Sequence, residues 1–89
     1  MRVRVLVRLK PGIMDVQGTA IQRALTGLGF ADAGDVRIGK VIELDVPGDR
    51  IEHVRARVDE MCAKLLVNPV LEDYALEAAD DVAAPFRGR

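Results

Sequence analysis

Chemistry needs reactive side chains held close together, and this sequence of 89 residues has few to offer. His53 is its one histidine and Cys62 its one cysteine. His53 falls one turn into a helical stretch, off the apolar stripe of Ile51, Val54 and Val58, where a solvated imidazole without a task is expected. Cys62 falls inside that stripe. With neither the histidine nor a helix N-terminus predicted beside it, the thiol reads as a buried, inert group and not as a nucleophile. No pair of cysteines or histidines has metal-ligand spacing, so no metal site is expected.

Three other groupings invite attention. Glu72 and Asp73 are adjacent carboxylates, but neighbours on a strand point to opposite faces and cannot work as a facing acid–base pair. Gly39-Lys40 resembles a phosphate-binding fragment. A P-loop needs a glycine five residues earlier, which Gly34 supplies, and a Ser or Thr after the lysine, where Val41 stands. It also needs a helix to follow, whereas this pair lies within a strand pattern. Arg37 and Lys40 are suited to an anion or to an acidic partner surface, or are simply solvated charges. Nothing assembles a nucleophile, a base and an oxyanion hole, so catalysis by this chain alone is not expected.

Composition narrows the classes further. The length allows one small domain, and a chain this short buries only about 60–65% of its unfolded surface, so a lone copy would be marginally stable. Hydrophobic residues are 49% of the total, which argues for a packed core. Thirteen basic and 14 acidic residues give a net charge of −1, so no global field draws the protein to nucleic acid or to an anionic membrane. Phe30, Tyr74 and Phe86 are its only aromatics, too few for base stacking. The opening Met1-Arg2-Val3-Arg4-Val5 is neither a signal peptide nor a membrane span. A single cysteine excludes an internal disulfide, and the cytoplasm is the expected location.

The elements that must position these residues follow from periodicity. Val3, Val5, Val7 and Leu9 alternate with Arg2, Arg4, Arg8 and Lys10, a strand with one apolar face that Pro11-Gly12 ends as a turn. Leu6 on the charged side suggests that part of that side is covered. Asp15 is an expected N-cap for a helix over Val16–Leu28, with Val16, Ala20, Ile21, Ala24, Leu25 and Leu28 on one face and Gly29 as C-cap. Gly18 and Gly27 each cost that helix about 1 kcal/mol against alanine, which makes sense where another backbone comes close.

From Asp35 to Val46 the sequence alternates again, with a break at Gly39-Lys40 that reads either as a hairpin turn or as a bend in one continuous strand. The bent strand is preferred; at ~3.3 Å per residue it spans roughly 36–40 Å and calls for a partner chain to pair with. Asp49 and Glu52 approximate a capping box for a second helix, whose stripe is Ile51, Val54, Val58, Met61, Cys62, Leu65 and Leu66. Asn68-Pro69 closes it, with Asn68 suited to a left-handed conformation. A last strand covers roughly Val70 to Ala78, and residues 81–89 read as a mobile tail after a single domain over 1–80. The fold class is α+β: a two-layer sandwich, β-α-β-α-β with a long bent central strand, an antiparallel sheet and two helices on one face. Splitting the central strand would give the ferredoxin-like order. Isolated apolar residues on the other face, Leu6 and Val41, point to a homo-oligomer, a dimer or a tetramer.

Read in order, Asp15-Val16-Gln17-Gly18, Asp35-Val36-Arg37-Ile38-Gly39-Lys40, Met61-Cys62-Ala63-Lys64-Leu65-Leu66-Val67-Asn68-Pro69-Val70 and Glu72-Asp73-Tyr74 resemble the PurS family. The likeness runs from Arg2 to about Glu77. It implies a non-catalytic subunit of phosphoribosylformylglycinamidine synthase in purine biosynthesis, the complex that uses ATP and glutamine to convert the formyl amide of formylglycinamide ribonucleotide to the amidine. The implied partners are the PurQ glutaminase, which releases ammonia, and the PurL synthetase, which uses ATP and Mg to activate the amide oxygen; the chain itself would hold no cofactor. Two copies would dock these subunits and assist ammonia transfer. Such a bridge has a physical rationale, because bulk water at neutral pH would protonate most of the ammonia and let it escape. The candidate partner-contact residues are Arg37, Gly39 and Lys40 on the central strand and Asp73 and Tyr74 on the last. The competing reading is a dimeric ACT-like module that binds a small regulatory ligand, for which Pro11-Gly12 is a thin version of the required turn. An RNA-binding domain of similar order would place aromatics where Val5, Val7, Arg37 and Ile38 stand.

Overall fold

The computed structural model describes residues 1–78, and the elements appear in the order β1 (Arg2–Leu9), α1 (Val16–Gly27), β2 (Gly39–Asp45), α2 (Ile51–Met61) and β3 (Glu72–Ala78). The expected tail lies outside the described residues. The three strands form one antiparallel sheet in the order β2-β1-β3, so the first strand of the chain, not the one in mid-sequence, is central. Its alternation is kept: Val3, Val5 and Val7 are buried and line up with Leu44 and Ile42 on β2 and with Leu76 and Tyr74 on β3. Val46, Val54, Val58, Cys62 and Val67 close the core over that face. No helix among the described residues is long and apolar enough to cross a membrane.

The share-out between the two helices differs from the expected pair. α2 brings Val54, Val58 and Cys62 into the core, whereas α1 buries only Gly18 and leaves Val16 at 70% and Leu28 at 73% exposure. Width is the reason: three strands spaced ~4.8 Å apart are about 10 Å across, the diameter of one helix with its side chains. α1 is instead fastened at its N-terminal end. Asp15 caps it, accepting from the amide of Gly18 at 2.7 Å, and Gly18 is in close approach to the carbonyl of Val36, so a side chain there would strike backbone. Gly27 has nothing near it, so no close approach accounts for that glycine.

The paired part of the middle strand is seven residues long, and the twelve-residue strand from Asp35 is not formed within the chain. Gly39 stands opposite Arg8 and is the first rung of the ladder, which also removes the hairpin alternative. Beyond that rung β1 has run out: Leu9 is its last residue and Pro11 has no amide to donate. Residues 35–38 find other partners. Ile38 donates its amide to Asp15 Oδ2 at 2.6 Å, and the Arg37 guanidinium reaches the carbonyls of Leu9, Lys10 and Ile13 at 3.3–3.4 Å.

α2 begins after Arg50, whose side chain makes no capping bond, so the Asp49–Glu52 capping box is not formed. Its far end widens into a π turn over Cys62–Leu66, closed by the Val67 amide on the Cys62 carbonyl at 3.1 Å. The wider turn rotates the stripe, leaving Cys62 fully buried and Leu65 83% exposed. Asn68 is not left-handed, since no residue other than glycine has a positive φ among the described residues. It stops the helix through its own bonds: its side chain accepts from the Val70 amide at 3.0 Å, and its amide donates to Glu72 Oε1 at 2.8 Å. Val70 consequently lies in this turn, ahead of β3, and is exposed.

Candidate functional site

The face of the sheet turned away from α2 carries an ordered row of charges. Register places Arg2 opposite Asp45 and Arg4 opposite Glu43, and both couples are ion pairs, at 3.2 and 2.7 Å. Arg4 also lies 3.8 Å from Glu77 on β3 and is only 8% exposed, its charge covered by carboxylates on both sides. The next rung, Val41, Leu6 and Ala75, is apolar. The last holds Gly39, Arg8 and Asp73.

At that end of the sheet lies an open depression of about 450 Å³. Arg37, Gly39, Lys40, Asp73 and Tyr74, separated by as many as 37 positions in sequence, all line it, and Arg8 joins them. Each is held there by a different device. Gly39 must lack a side chain, because a Cβ would run into the Val7 carbonyl across the ladder. Lys40 lies opposite Val7, on the α2 side, yet remains exposed because it is beyond the helix's cover. Arg37 is tied to the turn after β1 by the carbonyls described above, which fixes the rim of the depression and uses three of its five donors.

Tyr74 crosses to α2 and donates its hydroxyl to Asp59 Oδ1 at 2.8 Å. That hydrogen bond, with some desolvation and the charge of Asp59, pushes the phenol up to about 12. Asp15 shifts the other way: the amides of Ile38 and Gly18, aided by the Arg37 charge, hold its carboxyl below the usual range against a smaller opposing effect of burial. Cys62 is buried, and desolvation with the nearby Asp59 charge raises its thiol, which keeps it protonated and unreactive. His53 is on the surface. No group of three or more His, Cys, Asp or Glu side chains is placed to hold a metal among the described residues.

Sequence reasoning missed the parts that Arg8 and Asp59 play in this region, and one of the two bonds of Asp15. Arg8 was one charge in an alternating row, and only the register shows that it alone among the outward arginines of β1 faces a glycine. Asp59 gives no signal in the sequence that Tyr74 would reach it. Asp15 was legible as a cap, but its second bond to Ile38 was not.

The depression combines charges with an apolar rung. Comparison with known proteins places the whole chain. A family model described as PurS, phosphoribosylformylglycinamidine (FGAM) synthase, matches residues 2–80. The PurS subunit of phosphoribosylformylglycinamidine synthase from Bacillus subtilis is 45% identical over 83 residues, 92% of this chain and 96% of that protein. Crystalline PurS of Methanocaldococcus jannaschii, a subunit of formylglycinamide ribonucleotide amidotransferase, superposes with a TM-score of 0.77 at 39% identity, covering 85% of this chain and 92% of the other. A chain in the structure of PurLQS from Thermotoga maritima superposes with a TM-score of 0.78 at 30% identity, covering 85% and 93%.

Proposed function

The chain belongs to the PurS family and is a subunit of phosphoribosylformylglycinamidine synthase; we propose that it serves there as a docking scaffold, without a reaction centre of its own. The observation that carries this is the superposition on a chain of the PurLQS complex over 85% of the present sequence, with a TM-score of 0.78. PurL and PurQ are accordingly its partners. In this reading PurQ frees ammonia from glutamine, PurL uses ATP and Mg to activate the formyl amide, and this chain keeps the two close enough for ammonia to pass without meeting bulk water. In this reading it needs no cofactor for that task and works in the cytoplasm.

Self-association belongs to the same proposal. The apolar face of α1, with Met14, Val16, Ile21 and Leu28, is exposed in the single chain, which is costly for so small a domain and is relieved when a second copy covers it. A face that a second copy covers suits a dimeric ACT-like module equally well. The family match over residues 2–80 is the stronger support for the scaffold.

Reconstitution tests the function. PurL and PurQ from the same source, supplied with glutamine, ATP and Mg, should form the amidine only when this chain is present, and adding it back should restore the rate. With an ammonium salt in place of glutamine the chain should become dispensable. Unchanged glutamine-dependent turnover without it would remove the proposed role.

A further inference from the structure

We propose that the depression at the Arg8 end of the sheet receives an acidic segment, carrying Asp or Glu side chains, of a partner subunit; the inference rests on the reading of the chain as a docking subunit. The argument is one of a missing counter-charge. Along the outer face of β1, Arg2 and Arg4 each face a carboxylate on β2, Asp45 and Glu43. Arg8 occupies the equivalent place but faces Gly39 on β2, where no side chain fits because of the Val7 carbonyl, and its neighbour on β3 is Asp73, with which it forms no ion pair among the described residues. Neither Arg8 nor Lys40 forms an ion pair among the described residues. The lining therefore holds three cations, Arg8, Arg37 and Lys40, against one carboxylate, Asp73, in a chain whose net charge is −1.

Geometry selects a peptide over a small anion. Three of the five N–H donors of Arg37 are engaged by the carbonyls of Leu9, Lys10 and Ile13. Arg8 and Lys40 belong to opposite faces of the sheet, since Arg8 is opposite Gly39 and Lys40, one residue on, is opposite Val7. One phosphate cannot meet both, but a segment laid across the end of the sheet can place a carboxylate on each side. The apolar rung of Leu6 and Val41 beside them gives such a segment a surface to pack on.

The test is the affinity of this chain for the PurL and PurQ proteins, measured by surface plasmon resonance at low and high salt. The double variant Arg8→Glu/Lys40→Glu changes two exposed side chains, and its circular dichroism and elution volume should match those of the unaltered protein. Should charge reversal unfold the chain, Arg8→Gln/Lys40→Gln gives the same readout. The unaltered chain should bind one of the two proteins in a salt-sensitive manner, and the variant should bind that protein about tenfold or more weakly with little salt dependence left. Equal affinity and equal salt dependence would overturn the proposal while leaving the scaffold function standing. Calorimetric binding of inorganic phosphate or ATP to the isolated chain, lost in the variant whose subunit affinity is unaltered, would overturn it in favour of a small-anion site. Failure of the unaltered chain to bind either protein would remove the proposal together with its premise.

Discussion

Two glycines in one helix make the sharpest test of the backbone arrangement. By helix propensity alone, Gly18→Ala and Gly27→Ala should each stabilise the protein by up to about 1 kcal/mol. The structure separates them. A methyl group at position 18 would collide with the carbonyl of Val36, while at position 27 it would meet open space. Forcing a methyl into a filled site costs about 1–3 kcal/mol, and the upper part of that range applies because a backbone carbonyl cannot swing away like a side chain. After the propensity gain is set against it, Gly18→Ala should be destabilising by about 1–2 kcal/mol, a fall of roughly 5–15 °C in Tm for a domain of this size. Gly27→Ala should raise Tm by a few degrees at most. Thermal unfolding followed by circular dichroism, at one fixed protomer concentration, reads both. If the two variants shift stability in the same direction by similar amounts, the packing of α1 against residues 35–38 is wrong.

Tyr74 is the only tyrosine, so tyrosinate absorbance reports it alone; its titration midpoint should lie near 12 in the folded protein, return to the ordinary value in urea and fall part of the way on Asp59→Asn, since desolvation remains. Because the folded phenol is the weaker acid, the stability it contributes is fully present below the ordinary phenol range and is lost as pH rises through about 12. On α2, Leu65→Ser should change stability by less than about 0.5 kcal/mol, whereas Val58→Ala should cost about 2 kcal/mol in urea denaturation, since the π turn exposes Leu65 and leaves Val58 fully buried. Equal losses would mean that the helical stripe continues unbroken to the end of α2.

Local rules carried a large part of this protein. The alternation of valines and arginines in β1 needs only the two-residue period of a strand, and Val3, Val5 and Val7 are buried accordingly. The Asp15 cap and the turn at Gly29, whose φ is +101°, are short-range matters of orphan amides and backbone sterics. The inertness of Cys62 followed from its place in an apolar stripe. Residue blocks in a fixed order carry the likeness to the PurS family without any tertiary information.

What failed in the sequence reading failed where the outcome depends on distant partners. The strand from Asp35 was continued because its own pattern continues, but a strand lasts only while a neighbour offers amides and carbonyls, and β1 ends at Leu9. The second helix was expected to bear its stripe to Leu66, but the chain had to return to the sheet, and the π turn that allows this turned Leu65 outward. Two amphipathic helices were each expected to cover the sheet, but three strands accommodate one. The charge on Arg8 was plain from the sequence. That it faces a glycine on β2 where Arg2 and Arg4 face carboxylates, beside Lys40 and Arg37, is a matter of register, and register is set by long-range hydrogen bonding that no local pattern encodes.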